Sequence, residues 1–177
     1  MRSRDKELLE LLEKSGASLY ALLTRLTLRE DIAEELMQEL FIKLSNSRGR
    51  ARVANWDAYA HRAAINLAFD WRRTHRQTAL RLEQVREPAS DGDSPLGRLI
   101  RSEEVRRTLD AVGRLKGTAR EALVMRYIQQ ESYDNIAEQL GKTPHQVRAL
   151  CSRAVIRLRD LLGCNHRKSS EKETQNV

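Results

Sequence analysis

The sequence contains few residues of the kinds that build membrane spans, disulfide frameworks or aromatic pockets. Aromatic side chains make up 5% of its 177 residues, and only two cysteines are present. No stretch approaches the ~20 apolar residues that a membrane-spanning helix needs, and two cysteines do not suggest a disulfide framework. The opening stretch MRSRDKELLELLEK is charged throughout and does not resemble a secretory signal. These absences predict a soluble, helical, cytoplasmic protein.

Signatures of catalysis and of metal binding are also missing. The sequence has no phosphate-binding loop, no paired catalytic carboxylates, no nucleophile elbow and no cluster with metal-ligand spacing. Cys164 and His166 lie close together in the sequence, but Cys151 falls on an apolar stripe and no fourth ligand is evident. Core packing of Cys151 is therefore favoured over a zinc site. We expect no enzymatic activity, no metal and no cofactor.

Proline is scarce, and two of the three prolines mark one short segment. Pro88 and Pro95 fall in REPASDGDSPLG, residues 86–97, which is rich in turn-forming residues and poor in apolar ones. Both flanks have helical periodicity, and no alternating strand pattern is present. We therefore predict an all-α fold with two small helical domains joined by a flexible linker. The predicted bounds are 1–80 for the first domain, 81–100 for the linker, 101–163 for a helix-turn-helix domain and 164–177 for a polar tail.

Apolar residues recur every three or four positions in both halves of the chain, as they do in amphipathic helices. In residues 29–45, for example, Ile32, Leu36, Leu40 and Leu44 follow one another at four-residue steps. The pattern predicts helices over residues 5–14, 17–27, 29–45, 55–76, 96–115, 118–130, 133–140 and 143–162.

The charge that is present is mostly arginine and is unevenly distributed. Lys and Arg number 32 against 25 Asp and Glu, which gives a net charge of +7. Of these 32 residues 25 are Arg, whose planar fork suits contacts to phosphates and base edges. Residues 29–39 carry five acids and one Arg, whereas residues 58–76 and 143–162 each carry four Arg and one Asp. Because a merely soluble surface mixes its signs, this segregation predicts two surfaces for two partners of opposite charge.

The stretch YDNIAEQLGKTPHQVRALCSRA, residues 133–154, has helix-turn-helix spacing. Ala137 is small, Gly141 tolerates positive φ, and Thr143 before Pro144 can cap a second helix. In such motifs the second helix enters the major groove, where Arg binds guanine and Gln binds adenine. A helical hairpin with a capped turn and no DNA contact is the alternative. The exposed side of the second helix would present His145, Gln146, Arg148, Ser152 and Arg153.

With this motif the chain resembles the extracytoplasmic-function, or group IV, sigma factors of bacterial RNA polymerase. LDAVGRLKGTAREALVMRYIQQESYDNIAEQLGKTPHQVRALCSRAVIRLRDLL, residues 109–162, is similar to the family's fourth region. EDIAEELMQELFIKL, residues 30–44, and NWDAYAHRAAINLAFDWRRTHR, residues 55–76, are similar to its second region. The resemblance implies a factor for promoter recognition, DNA melting and transcription initiation. It implies core RNA polymerase and promoter DNA as partners, and a separate anti-sigma factor as regulator.

The resemblance also implies roles for individual residues. Those that correspond to the family's polymerase-docking helix are Glu35, Gln38, Glu39, Phe41 and Lys43. Those that correspond to its minus-ten surface are Asn66, which would capture a flipped base from a loop or helix end, and Arg62, Arg72, Arg73 and Arg76, which would contact phosphates. The minus-thirty-five reader corresponds to the five exposed residues of the helix-turn-helix.

Some positions keep a structural alternative open. Tyr59 and Trp71 have core spacing as well as a place beside the minus-ten surface, and Asn66 could instead cap a helix end. Leu150 and Lys142 depart from the family pattern, which usually has a basic residue and an apolar residue there. Two other functions also remain: a stand-alone helix-turn-helix regulator, and a sigma-mimicking protein that sequesters an anti-sigma factor.

Overall fold

A computed structural model describes residues 3–47, 53, 55–81 and 95–163 of the chain. Within these ranges the backbone forms only α-helices joined by short turns, so the predicted all-α fold is confirmed. The helices are α1 (Ser3–Thr27), α2 (Glu30–Ser47), α3 (Trp56–Arg81), α4 (Pro95–Gly113), α5 (Gly117–Tyr127), α6 (Tyr133–Leu140) and α7 (Pro144–Leu161).

The first helix corrects the sequence-based prediction of two helices over residues 5–14 and 17–27. The chain continues as one helix through Ser15 and Gly16, because a single glycine costs a helix only about 1 kcal/mol. Ser15 donates its hydroxyl to the carboxylate of Asp57 on α3, so this side chain serves packing between helices and does not cap one. The helix ends at Thr27, and the next residue, Leu28, has a φ of 60°.

Helices α1, α2 and α3 pack on one another and form the N-terminal half. Most of their leucines face inward, and Leu19, Leu23 and Leu40 are fully buried, whereas Leu9 is exposed. The start of α3 is fixed by Asn55, whose side-chain oxygen accepts a hydrogen bond from the Ala58 amide at 3.0 Å. Tyr59 bonds Ser47 of α2 through its hydroxyl at 3.0 Å, and both Tyr59 and Trp71 pack partly buried against the core. Both therefore have a structural role in this fold.

The C-terminal half contains the helix-turn-helix formed by α6 and α7. Gly141 has a φ of 61°, and the amides of Gly141 and Lys142 bond the carbonyls of Glu138 and Ala137, which is a Schellman motif. Thr143 then caps α7, as the sequence predicts. The side chain of Lys142 is exposed, so its departure from the family pattern leaves the helix packing undisturbed.

Cys151 packs inside this half of the protein. It is 1% exposed, and its Sγ lies 3.7 Å from the carbonyl oxygen of Ala122 on α5. Burial raises the pKa of the Cys151 thiol. The predicted core role of Cys151 is therefore in agreement with its position, whereas Cys164, His166 and the polar tail lie outside the described residues.

The two halves contact each other through α3, which packs against α4, α5 and α6. Phe69 of α3 lies under Gly113 at the end of α4, where an added Cβ would meet the Phe69 ring at 3.3 Å. Helices α3 and α4 extend into both ends of the predicted linker 81–100, and residues 82–94 lie outside the described ranges. Among the described helices, none has the length and apolar character needed to cross a membrane.

Candidate nucleic-acid interface

The residues predicted to read the minus-thirty-five element share the outer side of α7. His145, Gln146, Arg148, Ser152 and Arg153 are all exposed, while Val147, Cys151 and Ala154 face the core. Leu150 is partly buried against that core, which gives it a packing role at a position where the family commonly has a basic residue. The outer side of α7 is therefore open to a ligand along more than two turns.

Gln146 is already engaged at the start of α7. Its Oε1 accepts a hydrogen bond from the Thr143 amide at 3.0 Å, and the Thr143 hydroxyl accepts one from the Gln146 amide at 3.3 Å. This reciprocal pair is a capping box. A two-bond contact to adenine needs both the oxygen and the nitrogen of the Gln146 amide. While the capping box is formed, only the NH₂ group of Gln146 can bond a base without breaking the hydrogen bond to Thr143.

Arg148 lies beside an aromatic ring of the preceding helix. Its guanidinium carbon is 5.2 Å from the ring centroid of Tyr133, the first residue of α6. The guanidinium carbon of Arg126 lies 4.6 Å from the same centroid, and Arg126 also donates to the Glu131 carbonyl at 2.8 Å. Two cations within about 6 Å of one ring are each attracted to its negative face. The ring thus restricts the directions that the exposed Arg148 side chain takes.

The minus-ten candidates on α3 have partners in the C-terminal half. Asn66 lies in the middle of α3, so the expected position at a loop or helix end and the alternative helix-end cap are both wrong. Its Nδ2 donates to Oε1 of Glu121 on α5 at 3.0 Å, and its Oδ1 accepts from Arg120 at 2.8 Å. Arg62, one turn earlier, donates from Nε to the other Glu121 oxygen at 3.1 Å. Both oxygens of one buried carboxylate are thus bonded to α3.

Arg72 is more deeply buried than Arg62 and forms three hydrogen bonds with residues outside α3. It is 9% exposed, and its Nη1 donates at 3.1 Å to the carbonyl of Leu26 near the end of α1. Its Nη2 donates to the Asp110 carboxylate of α4 at 2.7 Å and to the Arg106 carbonyl at 3.1 Å. The sequence predicts a phosphate contact for Arg72. In this arrangement Arg72 joins α1, α3 and α4, and its Nη atoms are not open to DNA.

Arg120 completes the contact between the halves. Its guanidinium carbon lies 5.1 Å from the centroid of the Phe69 ring, and burial lowers its pKa while the nearby Asp70 and Glu121 carboxylates oppose that effect. Arg73 differs from these residues because it is exposed and, among the described residues, is paired only with Asp70, at 3.1 Å on its own helix. Arg76 lies on α3, but its side chain is outside the described part of the structure.

The predicted docking residues lie on the outer side of α2. Glu35, Gln38, Glu39, Phe41 and Lys43 are all exposed. Phe41 is 42% exposed, and its neighbour Ile42 is 58% exposed. Ile42 is not among the sequence-predicted docking residues, although its spacing of three from Glu39 and seven from Glu35 places it on their side of the helix. At the start of α2, hydrogen bonds from Arg29 hold the pKa of Asp31 below its ordinary value.

Comparison with known protein families gives two matches that follow this division of the chain. The model described as Sigma-70 region 2 matches residues 11–78, and the model described as Sigma-70, region 4 matches residues 106–158. The chain belongs to the extracytoplasmic-function group of the sigma-70 family. Helices α1–α3 are thus its region 2, and the helix-turn-helix of α6 and α7 lies in its region 4.

Individual sigma factors are similar over most of this chain. The ECF RNA polymerase sigma factor SigE of Mycolicibacterium smegmatis is 30% identical over 163 residues, which are 86% of this chain and 60% of SigE. The RNA polymerase sigma factor CarQ of Myxococcus xanthus is 29% identical over 164 residues, 87% of this chain and 88% of CarQ. The chain spans less than two thirds of the length of SigE, and about a third of another relative, RfaY of Xanthomonas campestris.

A solved structure has the same fold. It is the co-crystal structure of the sigma factor RpoE in complex with the anti-sigma factor NepR from Bartonella quintana. The match covers 93% of this chain and 99% of that one, with a TM-score of 0.50 and 22% sequence identity. At that identity the likeness supports the helical fold of the sigma factor and nothing finer.

Reasoning from the sequence missed three region 4 residues whose side chains form hydrogen bonds with α3. These are Asp110, Arg120 and Glu121. Glu121 carried a usable signal, because it is spaced three and four residues before Val124 and Met125, which are both fully buried. A carboxylate on the buried side of a helix requires a partner elsewhere in the fold. The identity of that partner has no signature in the sequence.

Proposed function

We propose that the chain is a sigma factor in function as well as in family: it binds core RNA polymerase and directs it to promoters. In this role it recognises promoter DNA, stabilises the melted strands and starts transcription. It supplies binding contacts and not catalysis, and it acts in the cytoplasm, where the polymerase is found. Core polymerase and promoter DNA are its proposed partners.

The observation that carries this proposal is the placement of opposite charges on separate, exposed helix surfaces. The outer side of α2 combines the acids Glu35 and Glu39 with the exposed apolar pair Phe41 and Ile42. Apolar groups within a charged rim are typical of a protein interface. The outer side of α7 instead offers Arg148 and other hydrogen-bonding side chains, which suits the major groove. A regulator that only bound duplex DNA would have no use for the α2 surface.

The proposed roles on DNA follow the two regions. Exposed residues of α7 are the proposed minus-thirty-five contacts, with Arg148 as the base-reading residue. On α3 the proposed minus-ten contacts are Asn66, Arg62, Arg72, Arg73 and Arg76. Asn66 would hydrogen-bond a base that has left the stack, which costs a few kcal/mol to expose, and the arginines would bind phosphates.

A separate anti-sigma factor is a further proposed partner. Support comes from RpoE of Bartonella quintana, which was crystallised in complex with the anti-sigma factor NepR. An anti-sigma factor of this kind would have to cover one or both of the surfaces described above.

Reversing the charge of the α2 surface tests the proposal. Glu35→Lys with Glu39→Lys should weaken binding to core polymerase by at least about tenfold, or about 1.4 kcal/mol, because like charges brought together across an interface cost several kcal/mol. Binding is measured by titrating labelled protein with core polymerase, and activity is measured by run-off transcription from a genomic promoter library. Exposed substitutions change stability by about 0.5 kcal/mol or less, so the circular dichroism spectrum should be unchanged.

The matched control is Glu10→Lys with Glu13→Lys, two exposed acids on α1. It changes the net charge by the same amount and should leave core binding near the parent value. If both double variants bind core equally well, the α2 surface has no docking role. A parent chain that binds duplex DNA but never core polymerase would favour the stand-alone regulator, and one that binds only an anti-sigma factor would favour the decoy.

A further inference from the structure

One carboxylate of region 4 occupies the polar surface that α3 is proposed to present to DNA. Glu121 accepts hydrogen bonds from Arg62 and Asn66 at 3.1 and 3.0 Å, one on each oxygen. Asp110 accepts from Arg72 at 2.7 Å. Three of the five minus-ten candidates are thus bound to acids of region 4.

The contact is specific. The Glu121 side chain is only 5% exposed, and a buried carboxylate is stable only when it is paired and hydrogen-bonded. Its partners all come from α3, on the other half of the protein. Asn66 is oriented by a second bond, from Arg120 to its Oδ1, and Arg120 also lies over the Phe69 ring. The two halves are therefore matched in charge, hydrogen bonds and apolar packing.

We propose that these contacts form an interdomain latch, defined as Arg62, Asn66 and Arg72 of α3 with Glu121 and Asp110 of α5 and α4. In the latch, the carboxylates of region 4 bind the α3 side chains that would otherwise bind DNA phosphates and a flipped base. While the latch is closed, these side chains of α3 cannot bind DNA. The naming of DNA as the competing ligand rests on the proposed function, whereas the closed contact itself does not.

The same contacts show why the latch can open. The Nε atoms of Arg72 and Arg120 are buried and lack a hydrogen-bond partner in the described structure, so closure leaves donors that water or phosphate would satisfy. The Arg62 side chain is 43% exposed, which leaves part of its guanidinium reachable by a competing anion. A strong anionic ligand can therefore replace the carboxylates, and promoter DNA held by core polymerase is such a ligand.

Two kinds of variant open the latch by different means. Glu121→Gln with Asp110→Asn keeps the side-chain volumes but removes both charges and one acceptor oxygen from each group. Gly113→Leu leaves the charges intact and places a side chain where even a Cβ would lie 3.3 Å from Phe69. Glu104→Gln with Glu138→Gln is the control, since both acids are exposed and neither bonds α3.

Two measurements on the full-length free chain test the proposal. Small-angle X-ray scattering reports the separation of the halves. Fluorescence anisotropy reports binding to a labelled single strand, the non-template strand of the promoter found in the transcription assay. Both latch variants should have a larger radius of gyration. They should also bind the strand about tenfold more tightly, the gain expected if one parent chain in ten is open. The control should have the radius of gyration of the parent. Its affinity for the strand should be within about twofold of the parent value, which is the effect expected from the change in net charge alone.

The outcomes separate the latch from the proposed function. If the scattering of both latch variants equals that of the parent, the latch is refuted, whatever the DNA result. The latch is also refuted if only the charge variant binds the strand more tightly, while its radius of gyration stays unchanged and Gly113→Leu binds like the parent. That result would show that the removed negative charges alone had raised the affinity. A parent that fails to bind core polymerase refutes the proposed function, while the scattering still decides on the latch. Circular dichroism verifies that each variant is folded.

Discussion

Tyr133 lies where its ring can restrict Arg148, the residue that we propose reads a promoter base. It lies at the first position of α6, within reach of Arg148 on α7 and of Arg126 on α5. An exposed arginine has many conformations, and fixing one of them for a base contact costs entropy. The aromatic ring reduces that cost before DNA arrives. We therefore regard Tyr133 as a positioning residue for Arg148.

Tyr133→Leu should weaken promoter discrimination at the base pair that Arg148 reads. Exposed cation–π contacts are worth about 0.5–1 kcal/mol, so the expected loss is about two- to fivefold in affinity. Arg148→Ala should cost more, about 1–3 kcal/mol, because it removes the base contact itself. Binding of holoenzyme to promoters with single base-pair changes measures both effects.

Tyr133→Phe keeps the ring and should restore the parent pattern. The double variant Tyr133→Leu with Arg148→Ala should be no worse than Arg148→Ala alone. If the two losses add, Tyr133 acts on stability or through Arg126 and does not position Arg148.

The helices themselves follow from the sequence to different degrees. The bounds of α6 are the same in sequence and structure, because Ser132 and Gly141 are strong start and stop signals. At Ser15–Gly16 similar residue types misled, since packing against α3 outweighs a local tendency to break. The contacts of Glu121 could not be predicted, because its partners lie 55 and 59 residues away and leave no periodic pattern.

Replacing either of two glycines with alanine should change the stability of the protein, in opposite directions, because the two differ in backbone conformation. An added Cβ meets nothing within 4 Å at Gly16 or at Gly141. Gly16 is within α1, so Gly16→Ala should stabilise the protein by about 0.4–1 kcal/mol. Gly141 has a φ of 61°, so Gly141→Ala should destabilise it by about 1–2 kcal/mol. Urea unfolding followed by circular dichroism measures both. A stabilising Gly141→Ala would mean that the turn between α6 and α7 differs in solution.

For the whole molecule, the two halves should remain together after the chain between them is cut. The sequence predicts that residues 86–97 are cleaved first by a protease, because exposed chain rich in Pro, Gly and Asp is easily cut. The contacts between α3 and region 4 are largely charged. The two fragments should therefore co-elute in gel filtration at low salt and separate near 1 M salt, where the Debye length falls to about 3 Å. Fragments that already separate at low salt would show that the halves pack only weakly.

Because the ligand and the surface of the latch belong to one polypeptide, dilution cannot separate them. A tethered group has an effective concentration that is a property of the chain and independent of the amount of protein in the cell, commonly in the millimolar range for short connections. Each new copy of the protein would therefore be closed for most of the time from the moment it folds, even at one molecule per cell. An anti-sigma factor would then have to cover only the α2 surface, the α7 surface or both, because the latch already covers the α3 surface.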